Sequence, residues 1–365
     1  MTLRELVEKF SRRAELFRSA PGGAVKCLAC ARACIISEGA AGFCGVRFNR
    51  GGELFAPWGY AAGIALDPVE KKPFFHVLPG AKALSFGMFG CNLRCAFCQN
   101  SQTAFPPENA APLSRQKLSP EALTETALEN SAPLIASTYN EPLITAEWAR
   151  AVFNEAKKKG LRTAFVSNGY ASREALEFLR PCLDFYKADL KGFNAERYLK
   201  VTGGELKKVL AGIELVYSMG FWLEVVTLVV PGFNDSPEEL GAAASFIAGL
   251  SKNIPWHVTA FYPAHKMPDT EPTPPETVLR AQEIGFKKGL NFVYAGNITS
   301  SGDTENTLCP ACGKLLVERR GFSVKTNLLA GQGACPALLP IDLKSSGQKS
   351  GACPYCGKTV PGVWQ

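Results

Sequence analysis

The sequence predicts an α/β protein whose core is a partial (β/α)6 TIM-like barrel, with an N-terminal Cys-rich extension and a small C-terminal zinc-ribbon-like unit. Short strand-like apolar runs alternate with helical segments from residue 82 to residue 295, a pattern typical of a parallel sheet. Twelve of the 13 cysteines fall into three clusters, one in each part of the chain. We therefore predict three domains: 1–80, the extension and connector; 81–300, the core barrel; and 301–365, the C-terminal unit.

The composition is that of a soluble globular protein in a reducing cytoplasm. Hydrophobic residues make up 46% of the 365 residues and charged residues 20%, which are ordinary values for globular domains. No apolar run reaches the ~18 residues that a bilayer-spanning helix needs, so we expect neither a membrane segment nor a secretion signal. The net charge of +7 is dispersed over short basic clusters, so nucleic acid is not an expected partner. Grouped cysteines in such a chain are typical of metal sites rather than disulfides.

Four cysteines in the N-terminal extension form the first candidate metal site. Apolar residues at helical spacing between Leu3 and Phe17 predict a surface helix before them. The cysteines are Cys27, Cys30, Cys34 and Cys44. Four thiolates suffice for a closed zinc site or an iron–sulfur site, and reduced cysteines without a metal are the remaining alternative. In the connector that follows, His76 stands beside two phenylalanines and is expected to be a packing residue.

The alternating pattern defines seven strands and six helices in the core. The predicted strands are Ala83–Phe89, Pro133–Thr138, Thr163–Ser167, Leu183–Ala188, Leu223–Val230, His257–Tyr262 and Asn291–Ala295. The predicted helices are Ser119–Asn130, Ala146–Lys158, Arg173–Leu179, Ala195–Met219, Pro237–Leu250 and Pro275–Lys288. Six or seven strand–helix units in ~215 residues are fewer than an eight-unit barrel of about 250 residues contains. For this reason we expect an open, partial barrel.

A loop with three cysteines follows the first predicted strand of the core. Cys91, Cys95 and Cys98 come directly after an apolar run that ends at Gly90. Iron in a 4Fe-4S cluster binds thiolates, so three cysteines would leave one iron with the open position that catalytic metal sites have. S-adenosylmethionine, whose amino and carboxylate groups can chelate such an iron, is the small molecule best matched to it. A three-ligand zinc loop and a cluster completed by a distant residue are the alternatives.

Polar residues stand on or after five of the predicted strands, where barrel enzymes place their functional groups. They are Asn140 and Glu141 after the second strand, Ser167 and Asn168 at the end of the third, Asp189 and Lys191 after the fourth, Thr227 on the fifth and His257 on the sixth. Together they predict a binding site for a cofactor at one edge of the sheet. A buried ion pair is the structural alternative for Asp189 with Lys191, and a hydrogen-bonded core histidine is the alternative for His257.

The C-x3-C-x2-C spacing of the loop, with Phe97 before the last cysteine, resembles the radical S-adenosylmethionine (radical SAM) superfamily. Over residues 27–297 the chain is similar to the AmmeMemoRadiSam-system radical SAM enzymes, relatives of the pyruvate formate-lyase-activating enzymes. The shared motifs include Gly90–Asn100 and Thr138–Pro142. The resemblance implies an enzyme that reductively cleaves SAM at a 4Fe-4S cluster to a 5′-deoxyadenosyl radical. It leaves the substrate open, and that substrate could be a partner protein.

The resemblance also implies roles for individual residues. Asn140 and Glu141 would receive the methionyl amino group, and His257 would lie beside the nucleoside. Asp189 and Lys191 match an Asp-x-Lys element of the activating enzymes that is associated with SAM binding, and with the loop cysteines they are the candidate catalytic residues. A reductant such as flavodoxin or ferredoxin is the implied partner. The chain has Tyr-Asn-Glu-Pro where activating enzymes have Gly-Gly-Glu-Pro, so activation of a glycyl radical enzyme is the alternative rather than the leading function.

Two Cys-Pro-x-Cys-Gly knuckles predict a zinc-ribbon-like unit after a linker at residues 299–303. Their cysteines are Cys309 and Cys312 in the first knuckle and Cys353 and Cys356 in the second. Four such thiolates are typical of structural zinc. Cys335 lacks a nearby partner cysteine, and we expect it to be a spare thiol. The unit would staple the tail or serve as a docking surface. A zinc-ribbon module that binds RNA or a protein, with merely structural core cysteines, is the alternative from another class of function.

Overall fold

The computed structural model describes residues 2–113, 117–298, 303–330 and 350–365. Its α-helices are α1 Leu3–Lys9, α2 Ser101–Ala104, α3 Pro120–Glu129, α4 Ala146–Lys158, α5 Arg173–Leu179, α6 Ala195–Thr202, α7 Leu206–Ser218, α8 Pro237–Leu250 and α9 Pro275–Lys287. Within these ranges, no helix has the length and apolar character needed to cross a membrane.

The strands fall into three groups along the chain. In the N-terminal part they are β1 Ser11–Arg13, β2 Phe17–Ser19, β3 Val25–Cys27, β4 Ile35–Ile36, β5 Phe48–Arg50, β6 Glu53–Pro57 and β7 Gly63–Pro68. In the core they are β8 Lys82–Gly87, β9 Leu134–Ser137, β10 Arg162–Ser167, β11 Phe185–Asp189, β12 Trp222–Val229, β13 Trp256–Ala260 and β14 Val293–Gly296. In the C-terminal part they are β15 Thr307–Leu308, β16 Leu315–Arg320, β17 Ser323–Asn327, β18 Ser350–Ala352 and β19 Thr359–Pro361.

An eight-stranded sheet forms the centre of the protein, with its strands in the order β14-β13-β12-β11-β10-β9-β8-β7. Strands β8 to β14 pair in parallel, and β7 pairs with β8 in the antiparallel sense. Helices lie between successive parallel strands, so six strand–helix units precede the last strand. All seven predicted core strands are present, which confirms the α/β core.

The parallel strands are buried on both faces, which explains their nearly continuous apolar sequences. In β9, for example, Leu134, Ile135 and Ala136 have no exposed surface. Helix α4 covers the sheet with an apolar face on which Trp148 and Phe153 are fully buried. Because the parallel strands all run the same way, their carboxyl ends lie along one edge of the sheet, where ligands bind in open α/β folds.

The helix predicted over residues 195–219 is wrong, because the structure has two helices there, α6 and α7. Gly203 caps α6 in the left-handed region, with a φ of 68°, a conformation that glycine adopts without strain. A Cβ atom on Gly204 would lie 2.5 Å from Leu93 Cδ2. The two glycines therefore end the helix and also let the backbone pass close to the three-cysteine loop.

The N-terminal helix is shorter than the periodicity predicts. Helix α1 starts at a capping box between Thr2 and Glu5 and ends at Lys9. Strand β1 follows, and it pairs antiparallel with β6, so that Arg12 stands opposite Ala56. Backbone pairing with a distant strand overrides the helical pattern, and the local sequence could not show this.

The C-terminal unit packs against the connector that joins β7 to β8. His76 of the connector is fully buried, with Nδ1 2.7 Å from the Pro361 carbonyl oxygen and Nε2 2.7 Å from the Tyr294 hydroxyl. Arg319 Nη2 donates to the Phe75 carbonyl at 2.6 Å. His76 is therefore a packing residue, as predicted, and it links the C-terminal unit to the core.

Candidate functional site

The carboxyl ends of the parallel strands open onto a cleft of about 770 Å³. Eleven of the residues predicted from the sequence line it, namely Cys91, Cys95, Phe97, Cys98, Asn140, Glu141, Ser167, Asn168, Asp189, Lys191 and His257. They come from four strands of the sheet, or from the residues that directly follow them, and from the three-cysteine loop. The topology therefore brings into one cleft nearly all the residues that the sequence pattern singled out separately.

The three-cysteine loop is held against the N-terminal extension and against α6. A Cβ atom on Gly90, whose φ is +94°, would lie 2.7 Å from Val46 Cγ2 and 2.8 Å from the Cys44 carbonyl oxygen. Only glycine therefore fits at this position. Farther along the loop, the Arg94 N–H donates to the Thr202 carbonyl at 2.7 Å. These contacts fix the loop before any cofactor binds.

The thiols of the loop lie in an environment that favours their protonated form. Cys95 is buried, and Cys91 and Cys98 are half-buried. Burial raises the pKa of Cys95 to about 11, although the charge of Lys191 partly offsets it. Thiolates would therefore be stabilised here mainly by a bound metal, as coordinated thiols are.

The residues around the three thiols fit a 4Fe-4S cluster with one open iron. Among the described residues that line the cleft, these are the only cysteines and His257 is the only histidine. The Nε2 atom of His257 is already bonded, since it lies 2.7 Å from Glu224 Oε2. The loop thus offers three thiolate ligands to a 4Fe-4S cluster, and one iron would remain for a ligand from the cleft.

Glu141 ties the ends of β9 and β10 together. Its carboxylate accepts hydrogen bonds from the Asn168 N–H at 2.8 Å, the Ser167 hydroxyl at 2.8 Å and the Leu143 N–H at 3.1 Å. Burial raises the pKa of Glu141 to about 7, although these hydrogen bonds oppose the shift. Beside it, Asn140 Oδ1 accepts from the Met88 N–H at 3.1 Å. Both side chains are therefore held rigidly at the cleft wall.

Asp189 stands between two lysines, one of which sequence reasoning did not assign to the site. Lys191 Nζ lies 2.9 Å from Asp189 Oδ2, and Lys187 forms an ion pair with the other carboxylate oxygen. Burial alone would raise the pKa of Asp189, but the two ammonium charges outweigh it and lower the pKa to about 2. The group carries one net positive charge and suits a negatively charged ligand. Side chains two residues apart on a strand face the same side, so the position of Asp189 on β11 could have identified Lys187 from the sequence.

Glu224 is a second buried carboxylate that organises the cleft. It accepts from the Phe75 and His76 N–H groups at 3.0 Å each, and it bonds His257. Burial alone would raise the pKa of Glu224, but the hydrogen bond with His257 lowers it. Burial lowers the pKa of His257, so the pair consists of a carboxylate and a neutral imidazole. Glu224 thereby connects the cleft to the connector.

The structure does not place Thr227 in the cleft. Val226 and Leu228 line the cleft, and Thr227, between them on β12, points to the opposite face of the sheet. Its hydroxyl donates to the Leu190 carbonyl at 2.9 Å and accepts from Trp256 Nε1 at 2.9 Å. We therefore correct the expectation of a cofactor contact: Thr227 is a satisfied core residue.

The four C-terminal cysteines converge on one point. The Sγ atoms of Cys309, Cys312, Cys353 and Cys356 all lie within 4.8 Å of one another, and two of the pairs are separated by 3.6 Å and 3.7 Å. Zinc–sulfur bonds of ~2.3 Å in a tetrahedron place thiolates about 3.8 Å apart. This quartet therefore fits a closed zinc site that Cys353 completes, while Cys335 lies outside the described residues.

The C-terminal unit also contributes to the cleft wall, which the sequence did not indicate. Glu305, Gly321 and Phe322 are lining residues. Burial raises the pKa of Glu305 to about 7, and Arg319 partly opposes this shift. Phe322 is half-exposed, at the tip of the β16–β17 hairpin. These residues lie far along the chain from the loop cysteines, and only tertiary packing brings the two groups together.

The N-terminal quartet surrounds a separate, small cavity. Cys27, Cys30, Cys34 and Cys44 line it together with seven other residues, and its volume is about 10 Å³. The predicted grouping of these cysteines is therefore present in the structure.

Comparison with known proteins identifies the class to which this fold and cleft belong. Residues 86–244 match the family model of the radical SAM superfamily. The chain is 37% identical over 317 residues to the uncharacterized protein MJ0808 of Methanocaldococcus jannaschii, a similarity that covers 86% of this chain and 93% of that protein. The chain belongs to the radical SAM superfamily.

Other relatives are more distant. The chain is 24% identical over 230 residues to the pyruvate formate-lyase 1-activating enzyme of Escherichia coli K12, with 59% of this chain and 93% of that enzyme covered. Among solved structures, a radical SAM methyltransferase from Sphaerobacter thermophilus aligns with a TM-score of 0.48 and 16% identity, over 72% of this chain and 76% of that one. The protein is thus homologous to pyruvate formate-lyase-activating enzymes.

Proposed function

We propose that this protein is a radical SAM enzyme of the AmmeMemoRadiSam type that reductively cleaves SAM at a 4Fe-4S cluster. The observation that carries the proposal is that three cysteines line the cleft and that no fourth thiol is found among the described lining residues. When bound, the cluster and SAM supply a 5′-deoxyadenosyl radical that abstracts hydrogen from the substrate or adds to it.

The residues of the chain would bind and orient these groups. Cys91, Cys95 and Cys98 would hold the cluster. Asn140 and Glu141 would receive the methionyl amino group. Their side chains are held rigidly by hydrogen bonds. The excess positive charge of the Lys187–Asp189–Lys191 group would attract the methionyl carboxylate. His257, oriented by Glu224, would lie beside the nucleoside, with Phe97, Ser167 and Asn168 as further contacts.

The surroundings of the site complete the proposal. The seven parallel strands would curve as a partial (β/α)6 barrel that shields the radical from water and oxygen. The extension, core and C-terminal unit would act as three functional domains at 1–80, 81–300 and 301–365. The C-terminal cysteines would bind zinc. A low-potential donor such as flavodoxin or ferredoxin, in a reducing cytoplasm, would supply the electron.

Activation of a glycyl radical enzyme is the second candidate function. The homology to the pyruvate formate-lyase-activating enzyme favours it. Tyr139 weighs against it. The tyrosine ring packs beside two glycines of neighbouring strands, Gly63 and Gly87, whereas activating enzymes have glycine at the motif position of Tyr139. A glycyl radical signal by electron paramagnetic resonance, formed only when a candidate partner is added, would support this second function.

The substitution Cys95→Ala tests the proposed chemistry. Anaerobically reconstituted wild-type protein with dithionite and SAM should form 5′-deoxyadenosine, and the variant should fall to the assay background because its cluster loses a ligand. Cys182→Ala is the matched control, since the Cys182 thiol is buried at the Leu179 carbonyl, 3.4 Å away, and does not line the cleft. Wild-type product from Cys95→Ala, or none from the wild-type protein, would contradict the proposal.

A further inference from the structure

We propose that Cys27, Cys30, Cys34 and Cys44 bind a second 4Fe-4S cluster, which passes electrons to the cluster on the three-cysteine loop. The site itself is inferred from the quartet alone. Its relay role rests on the proposed function.

The spacing of the thiols distinguishes this quartet from the C-terminal one. In the C-terminal quartet the four Sγ atoms lie within 4.8 Å of one another, and among the described residues no other group of three or more possible ligands meets that limit. A zinc ion with bonds of ~2.3 Å cannot reach thiolates that stand farther apart than about 4.6 Å. The N-terminal cysteines are therefore too widely spaced for one zinc ion.

The volume of the cavity between these cysteines also favours a cluster over a zinc ion. Its volume of about 10 Å³ is close to what one water-sized sphere requires, whereas a closed zinc tetrathiolate leaves no such space between its sulfur atoms. In a 4Fe-4S cluster each thiolate binds a different iron, so the four sulfur atoms surround an open centre that the cube fills. A cavity that is lined by four thiols and is larger than a single ion suits the cube.

Two buried donors without partners lie at this cavity. Asn92 and Arg47 both line it, and each is only 1% exposed. Neither Asn92 Nδ2 nor Arg47 Nε has a hydrogen-bond partner in the described structure. Buried donors are normally satisfied, so their orphan state indicates an acceptor at the site. The sulfide and thiolate sulfurs of a cluster are such acceptors, and hydrogen bonds to them tune its potential.

The cavity lining also holds the Arg47 donor in a fixed position. The Arg47 guanidinium forms a two-pronged ion pair with Glu147, with both N–O distances 2.7 Å. Glu147 holds the guanidinium in place, and Nε is the remaining donor. Because Glu147 balances the charge of Arg47, this residue would stabilise a cluster through a hydrogen bond from Nε and not through a net positive charge.

The cavity adjoins the three-cysteine loop through Asn92. This residue follows Cys91 directly, and its Oδ1 accepts from Asn168 Nδ2 at 2.7 Å, within the cleft. Its backbone carbonyl accepts from Arg32 Nε at 2.6 Å, and Arg32 also lines the quartet cavity. Asn92 therefore lies at the quartet cavity and directly beside Cys91 of the three-cysteine loop. This proximity makes the second cluster a relay that takes one electron from a low-potential donor protein and returns to its oxidised form when it passes that electron on.

Metal analysis of a Cys91→Ser/Cys95→Ser/Cys98→Ser variant tests the site. After anaerobic reconstitution with iron and sulfide, this variant should retain about four irons and about four sulfides per chain, half of the wild-type content. An iron content at the assay background would overturn the proposal, whether or not the variant binds a second zinc ion. Because this variant cannot cleave SAM under the proposed function, the result is independent of that activity.

The reciprocal variant, Cys30→Ala/Cys34→Ala, tests the relay. Its iron should fall from about eight to about four per chain, while Cys182→Ala keeps the wild-type value. The remaining cluster should still be reduced by dithionite, as seen by electron paramagnetic resonance, and its rapid reduction by flavodoxin should be lost. Unchanged reduction by flavodoxin overturns the relay role. If this variant does not fold, the loop variant still decides whether the quartet binds a cluster.

Discussion

The residues that position the side chains of the cleft are carboxylates, each shared by several donors. Glu141 joins two strand ends, Asp189 holds two lysines, and Glu224 collects two backbone N–H groups with His257. A buried carboxylate is unfavourable unless its partners are complete. Such arrangements therefore fix side chains around the cleft more rigidly than single hydrogen bonds would.

Substitution of Glu224 by glutamine should lower the free energy of unfolding by about 1–3 kcal/mol, because the amide would leave buried donors unsatisfied. The carboxylate has four such donors, since Trp222 Nε1 also donates to it, at 3.1 Å. Urea unfolding measures this loss. The His257 ring also loses its charged partner, so 5′-deoxyadenosine formation should decline as well. Glu214→Gln, at an exposed position of α7, is the matched control and should change stability by less than about 0.5 kcal/mol. Equal stability of the two variants would show that Glu224 has no organising role.

At the scale of elements, the cleft depends on close approaches between helices and strand-end loops. Helix α7 lies against the loop after β10, and a Cβ atom on Gly212 would come within 2.1 Å of the Gly169 carbonyl oxygen. Gly169 follows the cleft residues Ser167 and Asn168. The packing of one helix therefore sets the position of a cleft wall.

The Gly212→Ala substitution should destabilise the protein by about 1–3 kcal/mol, because the new methyl group must displace backbone. Gly249→Ala is the matched control near the end of α8, where a Cβ atom would meet nothing within 4 Å. That change should instead stabilise the protein by about 0.5–1 kcal/mol through helix propensity. Thermal or urea unfolding of both variants gives the comparison, and a shift of the same sign in both would refute the packing argument.

At the scale of the whole molecule, the C-terminal unit, the connector and the cleft form one continuous system. His76 and Arg319 bond the unit to the connector, whose N–H groups in turn bind Glu224. Phe322 and Glu305 of the same unit line the cleft. The unit therefore shapes the cleft, in addition to the predicted role of a staple or a docking surface.

The His76 contact predicts a pH dependence of stability. Unfolded His76 titrates near its ordinary pKa of about 6.5, whereas burial lowers its folded pKa to about 4. Between these values the unfolded chain binds the additional proton, so this contribution to stability is complete above pH ~6.5 and is lost as the pH falls toward ~4, by about 3 kcal/mol. Urea unfolding across this range should show a shallower dependence in His76→Gln. The same change at the exposed His265 is the control and should leave the wild-type dependence.

The sequence by itself determined much of the site. The spacing of Cys91, Cys95 and Cys98 defined the three-cysteine loop, and alternation of strands and helices defined the parallel core. Strand-end position then predicted which polar residues meet, since parallel strands present their carboxyl ends at one edge. These features are local patterns that the fold preserves.

Only the tertiary structure decided the rest. It turned Thr227 away from the cleft, joined Lys187 to Asp189, broke the helix at Gly203 and brought Phe322 to the cleft wall. The physical reason is that these outcomes depend on which distant segments pack together and which face of a strand they cover. Periodicity within a single segment carries no information about its partners in space.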